Sequence, residues 1–177
     1  MHQATQEFLN WIDSLTEQDK TYVMDMHMYL TNLGIKPRKY NNENFQYWYK
    51  GNRVMYLRKN TWRNTPLDIA VQYRLKGNNN GIDSFIKACS GEPDENELIK
   101  YTMNNACCCD RGNGKCNYER CGGFWVEYAG IKRKLAFCHN DITKWKAPKV
   151  KLNYTDNDLL FLKRLVDIRI KQISQNN

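Results

Sequence analysis

The sequence predicts an α+β fold. An antiparallel sheet, a meander plus a second hairpin, is packed by N-terminal helices and a C-terminal helix and carries a Cys-rich metal knuckle. Three observations predict it. Apolar residues recur at helical spacing near both ends of the chain, as in Tyr22, Val23, Met26, Tyr29, Leu30 and Leu33. Alternating apolar and polar runs, bounded by turn-forming residues, fill the middle. Six of the seven cysteines lie between Cys107 and Cys138. At 177 residues the chain is expected to form one domain, 1–177, with 106–139 a knuckle and hairpin inserted before the C-terminal helix.

Residues 4–13 and 17–33 read as two helices. Thr16 can cap the second, and Glu17 and Asp19 place carboxylates at the positive end of its dipole. Gly34 is a natural stop. Met24, Met26 and Met28 alternate along the helix and point to different sides, so they read as core filling rather than a sulfur site. His27 reads as a helix-surface residue. Pro37 ends helical character. Phe45–Tyr49 and Arg53–Lys59 then flank Lys50-Gly51-Asn52, a short hairpin loop, and Leu67–Leu75 alternates as a half-buried strand. Short helices are expected over Ile82–Ala88 and Asp94–Met103, the second started beside Pro93. Thr155 and Asp158 form a capping-box-like start to the last helix. Its stripe of Leu159, Leu162, Val166, Ile170 and Ile173 suits docking on the sheet.

The stretch from Ala106 to His139 carries the chemistry. Phe124–Tyr128 and Ile131–Phe137 flank the two-residue turn Ala129-Gly130 and predict a β-hairpin. With that turn Tyr128 faces Ile131, Glu127 faces Lys132 as an opposite-charge pair, Phe124 faces Leu135, and Cys121 faces Cys138. Opposed β-carbons stand about 4.5–5.5 Å apart, so two such thiolates can share one tetrahedral metal through bonds of about 2.3 Å. Gly112, Asn113 and Gly114 let the chain double back between Cys109 and Cys116. The expected metal ligands are Cys109, Cys116, Cys121 and Cys138, with Cys107, Cys108 and His139 as alternates. Zinc is the expected metal and an iron–sulfur cluster the alternative, since four thiolates suit both. The spacing C-x6-C-x4-C-x16-C departs from the paired C-x2-C of common zinc modules. A reduced thiol cluster or a disulfide between Cys121 and Cys138 also fits these residues.

The net charge of +8 is unevenly spread. Residues 34–76 carry ten Lys or Arg against two Asp or Glu, and residues 131–151 carry seven against one. Such blocks predict a basic face suited to an anionic partner, with nucleic acid as the example to test. The candidate anion-binding residues are Lys132, Arg133, Lys134, Lys144 and Lys146, with Trp125 and Trp145 near them for stacking on unpaired bases. No run approaches the roughly 18 apolar residues of a membrane span, and the opening MHQATQEFLNW lacks a signal-peptide pattern. A cytoplasmic location without a membrane role is therefore expected, and there clustered cysteines are more often metal ligands than disulfides. No glycine stretch has phosphate-loop spacing. Catalysis is not expected. Cys138 and His139 are strand neighbours facing opposite ways, and Cys108, the better thiol, has no matching base.

Phe8–Leu15, Thr16–Leu30 and the strand pair Phe45–Tyr49 and Arg53–Lys59 form a pattern of elements. Over roughly the first 75 residues it resembles bacterial YdhG-like domains, small α+β proteins of frataxin-like layout, some of them taken for iron chaperones. The resemblance implies an α+β fold and hints at an iron or zinc carrier, or at a small-molecule sensor. For a carrier, Glu7, Asp13, Glu17, Asp19 and Asp25 could form an oxygen-rich ridge on the first helices. For a sensor, Tyr47, Trp48, Tyr49, Tyr56 and Trp62 could line an aromatic pocket over the meander. No family residue carries over by motif, and the knuckle lies outside the match.

Overall fold

The computed structural model describes residues 3–42, 44–59, 67–71, 81–105, 124–128, 130–135, 149–150 and 156–176. Its elements run α1 (Gln3–Asp13), α2 (Glu17–Asn32), β1 (Pro37–Asn41), β2 (Asn44–Tyr49), β3 (Asn52–Lys59) and β4 (Leu67–Val71), then α3 (Gly81–Cys89), α4 (Glu95–Asn105), β5 (Phe124–Tyr128), β6 (Ile131–Leu135), β7 (Lys149–Val150) and α5 (Asp156–Gln175). They fall into two compact units, Met1–Val71 with Leu152–Asn177, and Gln72–Lys151.

In the first unit the helix ends are set by local chemistry. Thr16 sits in the extended region and its Oγ1 accepts the Asp19 N–H at 3.2 Å, while its hydroxyl donates to the Asp19 carboxylate at 2.8 Å. That exchange explains how a carboxylate, Asp19, is buried at a helix start. At the other end Gly34 adopts φ +76°, its N–H reaches the Thr31 carbonyl at 2.9 Å, and the Ile35 N–H reaches Leu30 at 2.9 Å. This is a Schellman stop, sealed by the buried pair Leu30 and Ile35.

The sheet of this unit is antiparallel in the order β1-β2-β3-β4. Register places Phe45, Leu57 and Ile69 in one row and Tyr47, Met55 and Val71 in the next, all buried. Phe8 and Trp11 of α1 pack on that face, with ring centroids 5.0 and 5.3 Å from Phe45. Between Tyr47 and Trp48 the pairing shifts, and Val54 is the extra residue of a bulge. The stretch 67–71 is a strand with Leu67, Ile69 and Val71 inward, as expected; 72–75 lies outside the described residues.

α5 packs on α2, β3 and β4. Lys163 pairs with Asp25 at 2.8 Å, and Tyr29 donates to Asp167 one turn further along both helices, so the two run parallel. The buried face of α5 is Asp158, Leu162, Leu165, Val166, Ile168, Arg169, Gln172 and Ile173. It is rotated from the expected stripe, leaving Leu159 and Ile170 half-buried. Three more expectations need correcting. β1 was not anticipated, because Pro37, Arg38 and Lys39 carry no apolar alternation; it is an edge strand, where charge and a leading Pro are at home. His27 is half-buried against Phe8 rather than on the surface. Of the three methionines only Met26 is core, and Met28 is 53% exposed.

In the second unit α3 buries Ser84, Phe85 and Cys89, and α4 buries Leu98, Ile99 and Thr102. α3 and α4 touch, and α4 also contacts β6. Both helices lie close to where the sequence placed them. Among the described residues no helix is long and apolar enough to cross a membrane.

Candidate functional site

The hairpin β5–β6 is the described part of the candidate site. Its register is Phe124↔Leu135, Trp125↔Lys134, Val126↔Arg133, Glu127↔Lys132 and Tyr128↔Ile131, the pairing the two-residue turn predicts. Gly130, at φ +76°, supplies the left-handed residue of that turn. Strand alternation then groups Trp125, Glu127, Lys132 and Lys134 on one face, and Phe124, Val126, Tyr128, Ile131, Arg133 and Leu135 on the other.

The second face is the one fastened down. The Tyr128 hydroxyl donates to Glu95 Oε1 at 2.7 Å on the first turn of α4, with Asn96 Oδ1 at 3.3 Å. Glu95 Oε2 also accepts the Gly91 N–H at 3.0 Å. The bond to Glu95, helped by burial, pushes the Tyr128 hydroxyl up to about 12. The same bond, with the Gly91 amide, holds the Glu95 carboxyl below its ordinary value. Glu127, on the first face, is exposed.

The Glu95–Tyr128 tie predicts acid sensitivity. A carboxyl with a lowered folded-state pKa stabilises above its ordinary value, and that contribution fades as pH falls through the folded value. Tyr128→Phe is expected to return the Glu95 titration toward the ordinary carboxylate midpoint and to speed amide exchange in β5 and β6. An NMR titration with hydrogen exchange checks both, and an unmoved Glu95 midpoint would refute the tie.

Of the predicted anion-binding residues, Lys132, Arg133 and Lys134 stand on β6, where the pleat separates Arg133 from the two lysines. Lys144 and Lys146 lie outside the described residues, as do Cys107, Cys108, Cys109, Cys116, Cys121, Cys138 and His139. Among the described residues no group of three or more His, Cys, Asp or Glu is placed to hold a metal ion. The acidic ridge does not converge. Asp25 pairs with Lys163, Glu17 and Asp13 share Lys20, Glu7 pairs with Lys39 at 3.4 Å, and Asp19 is buried in the α2 cap.

The supposed aromatic pocket does not form as one site either. Tyr47 is buried on the helix-covered face, while Trp48 and Tyr56 sit on the opposite side of the sheet; Trp62 lies outside the described residues. Two polar groups of note escaped the sequence reading. His27 Nδ1 lies 3.0 Å from the buried Tyr47 hydroxyl, and its position four residues after Val23 and three before Leu30 marks it as facing the core. Arg169 stands three residues after Val166, on the apolar side of α5.

Comparisons with protein-family models, with curated proteins and with solved structures find no match.

Proposed function

We propose that this chain is a zinc-stabilised binding module whose hairpin offers a basic, tryptophan-bearing face to an anionic partner, nucleic acid being the class to test first. The observation that carries the reading is the hairpin register. All five described pairs keep one count from Tyr128↔Ile131 to Phe124↔Leu135. Continued three residues further, outside the described residues, that count would pair Cys121 with Cys138, at the separation two ligands of one tetrahedral zinc need. Cys109 and Cys116 complete the set, with Cys107, Cys108 and His139 as alternates. The Tyr128–Glu95 bond ties the turn end of the hairpin to α4. An isolated two-stranded hairpin is marginal in water, and a metal at its open end would supply the missing constraint.

Trp125, Lys132 and Lys134 share the face on which Glu127 is exposed. Lysines there neutralise phosphate and an indole stacks on an unpaired base.

Elemental analysis of protein purified without added metal, with a thiol count on the same sample, tests the centre. The expected result is about one zinc per chain, with about four thiols protected until a chelator is added. Iron with visible absorbance would reassign the thiolates to a cluster. No metal and seven free thiols would end the proposal.

A further inference from the structure

The sheet of the first unit has a second face, turned away from Phe8 and Trp11. Register sets Arg38, Gln46 and Tyr56 in one row of it. Trp48 pairs with Arg53 beyond the bulge, and Asn44 pairs with Arg58 on the other side of that row. Tyr40, 70% exposed, sits at the register shift of the edge strand β1. The side chains form a set rather than a scatter. The Arg53 guanidinium stands 5.8 Å from the Tyr56 ring centroid. Arg38 is exposed, while Trp48, Tyr56, Arg53 and Arg58 are half-buried.

One detail asks for a ligand. Arg58 Nε is buried and, among the described residues, has no hydrogen-bond partner; the Oδ1 of its cross-strand neighbour Asn44 is in the same position. A buried donor and a buried acceptor left open on cross-strand partners are costly unless something polar meets them. Asp68, opposite Arg58 in β4, is the one acidic residue that register places on this face among the described strands.

We infer that this sheet face binds single-stranded nucleic acid, with Tyr40, Trp48 and Tyr56 stacking on bases and Arg38, Arg53 and Arg58 taking phosphates. Rings on a sheet face stand about 5–7 Å apart along and across strands, steps that successive unpaired bases can follow. A duplex hides its bases and leaves the rings unused. Arginine suits the task because its planar fork grips a phosphate in two places and also stacks on rings. An acidic protein would satisfy the charges but not the aromatics. The surface belongs to the unit without the clustered cysteines, so the inference does not rest on the zinc reading.

The test is fluorescence anisotropy of the full-length protein with labelled oligo(dT) and oligo(rU) of about 12 nucleotides, within the span one such platform covers. Binding is expected to weaken with salt at a log–log slope of about −2, the value for three phosphates on a single strand. Arg38→Glu with Tyr40→Ala changes two exposed edge positions. It should cost at least about tenfold in affinity without moving the melting temperature. Lys87→Ala with Lys100→Ala, exposed positions on α3 and α4, should leave the binding in place. The inference is overturned if neither oligonucleotide binds, or if polyglutamate competes as well as oligo(dT). It is also overturned if binding survives the Arg38 and Tyr40 changes undiminished.

Discussion

Arg169→Ala is expected to destabilise the first unit by about 3–5 kcal/mol, as a large buried side chain is removed and two acceptors lose its donors. The side chain is 1% exposed. Its Nε and Nη2 donate to the Arg53 carbonyl at 3.3 and 3.2 Å, and its Nη1 donates to Gln172 Oε1. Arg53 stands at the β3 bulge, where the ladder to β2 is interrupted. A carbonyl at such a break needs a donor from elsewhere, and α5 supplies it. Truncation therefore leaves two acceptors without these donors and opens a cavity between helix and sheet. Arg169→Lys keeps the charge but not the fork, so one ammonium has to choose between acceptors, and an intermediate loss is expected. Urea denaturation followed by circular dichroism measures both. A loss below about 1 kcal/mol for the alanine variant, as at an ordinary surface position, would refute this role for the guanidinium.

The contrast between this arginine and the helix that carries it shows what a sequence can and cannot reveal. α1, α2 and α5 were legible because their periodicity and caps are local: Thr16, Asp19 and Gly34 do their work with neighbours a few residues away. The hairpin register was legible for the same reason, a two-residue turn leaving one pairing available. What failed depended on distant partners. β1 is a strand because β2 offers it an unpaired edge, which no pattern within Pro37–Asn41 reports. The buried face of α5 is set by where β3 and its bulge lie, so Arg169 and Gln172 turned inward while Leu159 and Ile170 moved to the margin. The second sheet face was hidden for a related reason. Arg38, Trp48, Arg53 and Tyr56 come from three strands, and only cross-strand pairing brings them together. Of the candidate metal site, the sequence and the described residues share only the hairpin that leads to it.

Phe8→Ala should match Arg169→Ala in size, at about 3–5 kcal/mol, and should also change how stability depends on pH. Phe8 is fully buried, with ring centroids 4.6 Å from His27, 5.0 Å from Phe45, 6.1 Å from Trp11 and 6.3 Å from Tyr47. Its neighbours come from α1, α2 and β2, and large rings fixed on three elements cannot easily collapse into the space it leaves. The same packing keeps water from His27, and burial lowers its pKa below the ordinary histidine value of 6.5. The neutral imidazole can accept the Tyr47 hydroxyl through Nδ1 at 3.0 Å; the protonated ring cannot. An unfolded chain takes up this proton more readily than the folded one. The contribution of His27 is therefore complete above about pH 6.5 and is lost as pH falls through the lowered folded value. Wild-type stability should decline over that interval, and His27→Gln should flatten the decline. Phe8→Ala, by letting water reach the ring, should raise the His27 midpoint toward 6.5 and flatten it too. NMR titration of the His27 ring in both proteins, set beside melting temperatures across the same range, decides the matter. An unchanged midpoint in Phe8→Ala would mean that the phenyl ring fills space without shielding the histidine.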